Sequence, residues 1–254
     1  MNSQNDYIAV FDSGVGGISV LRHLRRELTS ERFYYFGDSA NAPYGTRPTA
    51  EIRELTLAAA EKLMGKGIKA LVIACNTATS AAIEDLRRRY PDTIVIGIEP
   101  ALKSAARDFP GGNIGVMATP ATLREAKFAH LMEQFEAHCT VTKLPAAGLV
   151  ELVEAGNADC AATEQLLRPL LSPLAGKLDA LVLGCTHYPF AAKTISRLLG
   201  ENTRLYDGGI GTARHTRRRL EDAGLLRQGE GELIIETSLP QTRDLCLSLL
   251  EAKL

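Results

Sequence analysis

The chain has 254 residues, a formal net charge of −1 and 23% charged residues, a balance that gives no general attraction to nucleic acid or to an acidic membrane. No apolar stretch reaches the ~18 residues of a membrane-spanning helix. Five cysteines, an odd number without a CxxC spacing, point away from a disulfide framework and give no support to a structural zinc site or a thioredoxin-type pair.

Taken in order, strand-like runs alternate with amphipathic helical ones, the pattern of a parallel sheet covered on both faces. Strands are expected at Tyr7 to Phe11, Phe33 to Gly37, Ala70 to Ala74 and Thr93 to Gly97. Helices fill Gly17 to Leu28, Thr49 to Met64, Thr77 to Tyr90 and Pro100 to Asp108, with Pro91, Pro110, Gly111 and Gly112 as breakers. A second set follows, with strands at Asn113 to Met117, Thr140 to Leu144, Ala180 to Leu183 and Arg204 to Tyr206. Its helices lie near Ala121 to Glu136, Ala161 to Leu171 and Phe190 to Leu199. The segment Asp207-Gly208-Gly209 opens a final helical run that returns the chain to the first domain, where a helix near Gln241 to Leu250 packs. The expectation is therefore an α/β protein of two similar domains, each a parallel sheet flanked by helices, pseudo-symmetric about an interdomain cleft. Residues 1–99 plus 208–254 form the first domain, and 100–207 the second.

The repetition is sharpest around two cysteines. Ala70-Leu71-Val72-Ile73-Ala74 precedes Cys75, and Ala180-Leu181-Val182-Leu183-Gly184 precedes Cys185. Asn76-Thr77-Ala78-Thr79 follows the first, Thr186-His187-Tyr188-Pro189 the second. Each thiol thus sits where a strand gives way to a helix, at the end of a parallel sheet where ligands collect. Unpaired helix N–H groups and the positive dipole end favour a thiolate there, the form that acts as base or nucleophile. One buried cysteine reads as an inert small hydrophobe; a matched pair at equivalent strand ends reads as a site. Likewise Ile8 to Phe11 leads to Asp12-Ser13, and Ile114 to Met117 to Ala118-Thr119, a hydroxyl in both halves but a carboxylate in one. Two thiols across a cleft suit removal of a proton from one face of a carbon acid and delivery to the other. Their pKa lies near working pH, the condition for efficient acid–base catalysis.

Four segments then resemble one family in the same order: Asp12-Ser13-Gly14-Val15-Gly16-Gly17, Gly37-Asp38 with Pro43-Tyr44-Gly45, Cys75-Asn76-Thr77-Ala78-Thr79, and Gly184-Cys185-Thr186-His187-Tyr188-Pro189. They are similar to the bacterial glutamate racemases of the aspartate/glutamate racemase superfamily. The resemblance implies cofactor-independent interconversion of L- and D-glutamate for peptidoglycan synthesis, with no metal. It implies that Cys75 takes the α-proton of D-glutamate and Cys185 that of L-glutamate, with Asp12 beside Cys75 and His187 beside Cys185. A family Leu-Val-Pro-Leu-Val-Glu stretch reads Leu149-Val150-Glu151-Leu152-Val153-Glu154 here, so register makes Glu154 the carboxylate serving Cys185, with Glu151 in place of the proline. Substrate holders by the same resemblance are Asp12, Ser13, Tyr44, Gly45, Asn76, Thr77, Thr186 and His187; the internal repeat adds Thr119 and Thr122. Asp38 has two open readings, ligand contact and local capping.

Other features have plainer readings. Gly14, Gly16 and Gly17 let backbone approach a substrate rather than form a dinucleotide loop. His23, His130, His138 and His215 are solvated, and Arg87-Arg88-Arg89 and Arg217-Arg218-Arg219 are exposed helix faces. The family implies a homodimer and, in some members, binding to DNA gyrase; nucleic acid is not an expected partner. The odd cysteine count and the lack of a signal-like N-terminus place the protein in the cytoplasm. With six residues before Tyr7, activation by a peptidoglycan precursor, linked in the family to an N-terminal extension, is not expected. Two rival readings are a binding protein that has lost catalysis and a sibling racemase acting on aspartate.

Overall fold

The computed structural model describes residues 3–98, 101–124, 130, 132–135 and 139–252. In the first half β1 (Tyr7–Asp12), β2 (Arg32–Gly37), β3 (Ile68–Ile73) and β4 (Ile94–Gly97) pair in parallel in the order β4-β3-β1-β2. In the second, β5 (Asn113–Ala118), β6 (Thr140–Pro145), β7 (Ala180–Leu183) and β8 (Arg204–Asp207) pair in the order β8-β7-β5-β6, again parallel. The two orders are the same, so the repeat in the sequence is a repeat of topology. Each expected strand forms, with ends displaced by a residue or two.

The strands read as continuous apolar runs because both sheet faces are covered. Ile8 and Val10 enter one core cluster, Ala9 and Phe11 another. The first of these clusters also holds Met117, Leu144, Leu181 and Leu183 of the second sheet, so one apolar core runs through both halves. Around the sheets lie α1 (Ile18–Glu27), α2 (Thr49–Met64), α3 (Asn76–Arg89), α4 (Leu102–Asp108), α5 (Pro120–Arg124), α6 (Leu149–Glu154), α7 (Ala161–Leu171), α8 (Ala192–Leu199), α9 (Gly209–Asp222) and α10 (Arg243–Glu251). The α1 helix shows the general logic. Ile18, Val20, Leu21 and Leu24 are buried on one side, and Arg25 and Arg26 sit in the last turn, where they complement the helix dipole.

Three expectations need adjustment. A fifth strand, β9 (Glu232–Thr237), extends the first sheet in parallel beside β2, where only helix was expected after Tyr206. As an edge strand it flanks a short apolar run, Leu233-Ile234-Ile235, with Glu232 and Glu236. Those carboxylates are matched from the neighbouring elements, Glu232 by Arg32 at 2.6 Å and Glu236 by Lys62 at 2.5 Å. A short helix, α6, was not anticipated in the Leu149–Glu154 stretch; Gly148, at φ 87°, turns the chain into it. The helix expected from Phe190 begins as a 3-10 turn over Tyr188–Ala191, with Pro189 in its first turn, before α8 proper. The start of the helix expected at Pro100, most of the Ala121 to Glu136 run beyond Arg124, and His138 lie outside the described residues.

From Gly209 onward the chain packs on the first sheet: α9 against α1, β9 beside β2, and α10 against α1 and β9. Among the described residues no helix is long and apolar enough to cross a membrane.

Candidate active site

In each sheet the strand order reverses between the first and third strands of the repeat, and a crevice opens at such a reversal beyond the strand ends. Asp12 and Ser13 leave β1 and Cys75 follows β3, while Thr119 and Cys185 occupy the equivalent ends in the second sheet. The correspondence holds at the backbone, where Ala74 N–H donates to Phe11 O at 2.8 Å and Gly184 N–H to Met117 O at 2.7 Å.

Around the first thiol, Ser13 Oγ lies 3.4 Å from Cys75 Sγ, and Ala78 N–H donates to Sγ at 3.4 Å, making Cys75 the N-cap of α3. The expected helix N–H is therefore present, but it does not set the pKa. Burial, reinforced by Asp12, pushes the Cys75 thiol up to about 12, and the Ser13 and Ala78 hydrogen bonds offset only part of this. The expectation of a thiolate favoured by helix position is corrected: desolvation of a thiolate at this buried position exceeds what the Ser13 and Ala78 hydrogen bonds return.

Around the second thiol, Cys185 Sγ is 3.7 Å from His187 Nδ1, and His187 Nε2 is 2.6 Å from Glu154 Oε1. Burial works against a charged His187 ring, but its hydrogen bonds to Cys185 and Glu154 outweigh burial and hold it well above the ordinary histidine range. Glu154 is the carboxylate that reaches the site from α6, whereas Glu151 is exposed. Val15 N–H also donates to Glu154 Oε1 at 2.7 Å, and Ser39 Oγ to Oε2 at 3.4 Å. The approach is so close that a Cβ on Gly14 would fall 1.8 Å from Oε1, a physical reason for glycine in that loop.

Asp12 spans the two halves. It is fully buried, accepts from Gly14 N–H at 3.0 Å and from Thr186 Oγ1 at 2.9 Å, and burial raises its carboxyl to about 6 against the pull of His187, Thr186 and Gly14. Ser19 adds a second tie, donating to Thr186 O at 2.8 Å. A third seam is made of hydroxyls: Thr77 Oγ1 lies 3.3 Å from Thr119 Oγ1 and 3.1 Å from Thr122 Oγ1, which are 2.9 Å from each other. Beside them Asn76 is buried and its Oδ1 has no protein partner, so it stands ready for a ligand donor. Gly45 faces Thr119, whose Cβ would be 2.8 Å from an added methyl. The Asp38 side chain does not cap the turn it opens; its carboxylate instead orients side chains, accepting from Asn41 Nδ2 at 3.0 Å and from Tyr44 Oη at 2.8 Å.

The structure thus gathers Cys75, Ser13, Asp12, Thr186, Cys185, His187 and Glu154 into one network and ranges Asn76, Thr77, Thr119, Thr122 and Gly45 beside it. Tyr44 joins through Asp38. Sequence reasoning missed Val15, which contributes a backbone N–H that no side-chain pattern announces, and Ser19 and Ser39, ordinary hydroxyls in loops and helix starts. His23 is not fully solvated as expected; it is half-buried 3.9 Å from Asp207, and burial lowers its pKa. The arginine runs do lie on exposed faces, Arg87 with Glu84 and Arg217 with Glu27.

The sequence matches the Asp/Glu/Hydantoin racemase family over residues 11–216. It is 46% identical over 255 residues to a glutamate racemase of Clostridium perfringens, covering 98% of both chains. Among solved structures it is similar to the glutamate racemase isoform RacE1 of Bacillus anthracis, with TM-score 0.87 and 29% identity over 99% of this chain and 96% of that one. It is also similar to a Francisella tularensis glutamate racemase in complex with D-glutamate, with TM-score 0.85 and 28% identity over 99% and 95%.

Proposed function

The chain belongs to the Asp/Glu/Hydantoin racemase family, and from that premise we propose that it interconverts L- and D-glutamate by two-base proton transfer between cysteines, without a cofactor. It is an isomerase whose product, D-glutamate, serves peptidoglycan synthesis. One observation carries the reading: two cysteines end equivalent strands of a duplicated fold, each with its own polar escort, Ser13 beside Cys75 and His187 beside Cys185.

In one direction the Cys75 thiolate takes the α-proton of D-glutamate, forming the S–H bond while the C–H electron pair stays on the α-carbon as a carbanion, and that pair then takes a proton from the Cys185 thiol on the opposite face, leaving Cys185 as the thiolate. The reverse direction exchanges the roles, so the reacting enzyme holds one thiol and one thiolate. A thiol at about 12 is a weak acid; the ammonium of an incoming amino acid supplies the positive charge that favours its thiolate. Asp12 supports the Cys75 side, and His187 with Glu154 the Cys185 side. Substrate carboxylates and ammonium are held by Ser13, Tyr44, Gly45, Asn76, Thr77, Thr119, Thr122 and Thr186, with helix-start N–H groups as additional donors. In the same reading residues 1–99 plus 208–254 form one lobe and 100–207 the other, and the protein is a cytoplasmic homodimer. Five free cysteines agree with a reducing compartment. Gyrase binding rests on family resemblance alone.

The test is circular-dichroism detection of L-to-D conversion in D₂O, with no cofactor added, for wild type, Cys75→Ser and Cys185→Ser. Wild type should racemise and incorporate deuterium at the α-carbon, and each serine variant should lose at least ~10³-fold. Turnover that needs pyridoxal phosphate or survives both substitutions defeats the reading; activity on aspartate alone changes only the substrate.

A further inference from the structure

The peptide unit joining Gly14 to Val15 is hydrogen-bonded at both of its polar ends. On one side Tyr35 Oη donates to Gly14 O at 2.6 Å. On the other, Val15 N–H donates to Glu154 Oε1 at 2.7 Å, the same oxygen that lies 2.6 Å from His187 Nε2. His187 Nδ1 is in turn 3.7 Å from Cys185 Sγ. We propose that Tyr35 is a positioning residue for proton transfer at Cys185, acting through the Gly14–Val15 peptide and Glu154. The inference rests on the reading above that Cys185 exchanges the α-proton of L-glutamate.

The physical ground is conjugation within the amide. A donor on the carbonyl oxygen draws electron density from nitrogen and strengthens the N–H as a donor, so bonds in such a chain reinforce one another. Tyr35 is suited to this. It comes from β2, is fully buried, and its ring packs where Cβ atoms on Gly17 and Gly37 would come within 3.1 and 3.3 Å. Burial holds its hydroxyl well above the ordinary tyrosine range, so it remains a donor throughout the working pH. Glu154 arrives from α6, beside the second sheet, so the chain of bonds ties the proton-handling group of the second thiol to the first sheet. The hydrogen bonds at the first thiol, with Ser13 Oγ and Ala78 N–H, do not run through Tyr35. Tyr35 should therefore affect one proton transfer of the two.

Equilibrium fixes the ratio of kcat/KM for the two enantiomers, so the asymmetry shows in isotope effects. Tyr35→Phe keeps the ring and removes the donor. Turnover should fall about fivefold, as expected for one neutral hydrogen bond acting through another group. The primary isotope effect should rise with α-deuterated L-glutamate, whose proton goes to Cys185, and should not rise with α-deuterated D-glutamate. Glu154→Gln should show the same one-sided change, and adding Tyr35→Phe to it should cost little more. Equal isotope effects for both enantiomers, a rise on the D side, or additive losses in the double variant overturn the proposal. In the wild type the Val15 amide proton should resonate far downfield and exchange slowly; fast exchange also overturns it, whatever the fate of Tyr35→Phe. If wild type turns over neither enantiomer, the racemase reading fails instead.

Discussion

Replacing Asp12 with asparagine should make the protein more stable at neutral pH while impairing it as a catalyst. The carboxyl stands at about 6 in the folded protein against an ordinary 3.8, with burial the largest cause. Below 3.8 it is protonated in both states and its ionisation costs nothing. As pH rises, the unfolded chain ionises first and the native chain follows only near 6, so the unfolded state gains throughout that window and stability falls. The difference between about 6 and 3.8 amounts to ~3 kcal/mol lost by pH 7, of which ~2 kcal/mol is lost between pH 4.5 and 7.5. Asparagine removes this titration. It also loses one acceptor, so either Gly14 N–H or Thr186 Oγ1 is left facing an amide donor, at ~1–2 kcal/mol independent of pH. Urea unfolding followed by far-ultraviolet circular dichroism, at several pH values from 4.5 to 7.5, should therefore show the variant gaining ~2 kcal/mol on wild type across the range. At pH 7.5 it should be the more stable of the two, with turnover reduced ~10²-fold. A stability difference that stays flat with pH would refute the argument, because titrating groups remote from Asp12 cancel in the comparison.

Two further substitutions probe different parts of the molecule. Lys69 is fully buried within β3, 2.6 Å from the buried Glu31, and also donates to Gln4 O and Leu225 O. Lys69→Met leaves the Glu31 charge without its cation and should cost ~3–5 kcal/mol by denaturant midpoint, with Glu31→Gln in the same chain recovering part of it. Gly14→Ala places a methyl carbon 1.8 Å from Glu154 Oε1. Steady-state assays should show kcat down ~10²-fold from the displaced carboxylate, and the melting temperature should fall as well, because the loop is buried and the next residue, Val15, belongs to the core.

The legible parts of this protein are those written as local pattern. Apolar runs of strand length, small hydroxyl residues after each cysteine, and glycines at the loop after β1 follow from backbone periodicity and turn chemistry, which act over a few residues. Because the pattern occurs twice, the repeated succession of strands and helices and the placing of Cys75 and Cys185 at equivalent ends could be read without coordinates. The edge strand β9 could not, since its apolar run is only Leu233 to Ile235 and the glutamates on either side look like surface until Arg32 and Lys62 are set beside them. The short helix α6 was also missed, although the family register had already singled out Glu154 within it.

Which partner each polar group takes is a different kind of information. Asp12 with Thr186, Val15 N–H with Glu154, and Thr77 with Thr119 and Thr122 join residues far apart in the chain, and no spacing rule encodes them. The Cys75 pKa belongs here as well: helix position, a local feature, argued for a thiolate, and burial, a property of the closed crevice, reversed it. The sequence by itself determined the duplicated fold, the two thiols and, through family resemblance, the chemistry they serve. Only the tertiary structure decided the hydrogen-bond partners and the electrostatics, because desolvation and distance exist only once the two halves have come together.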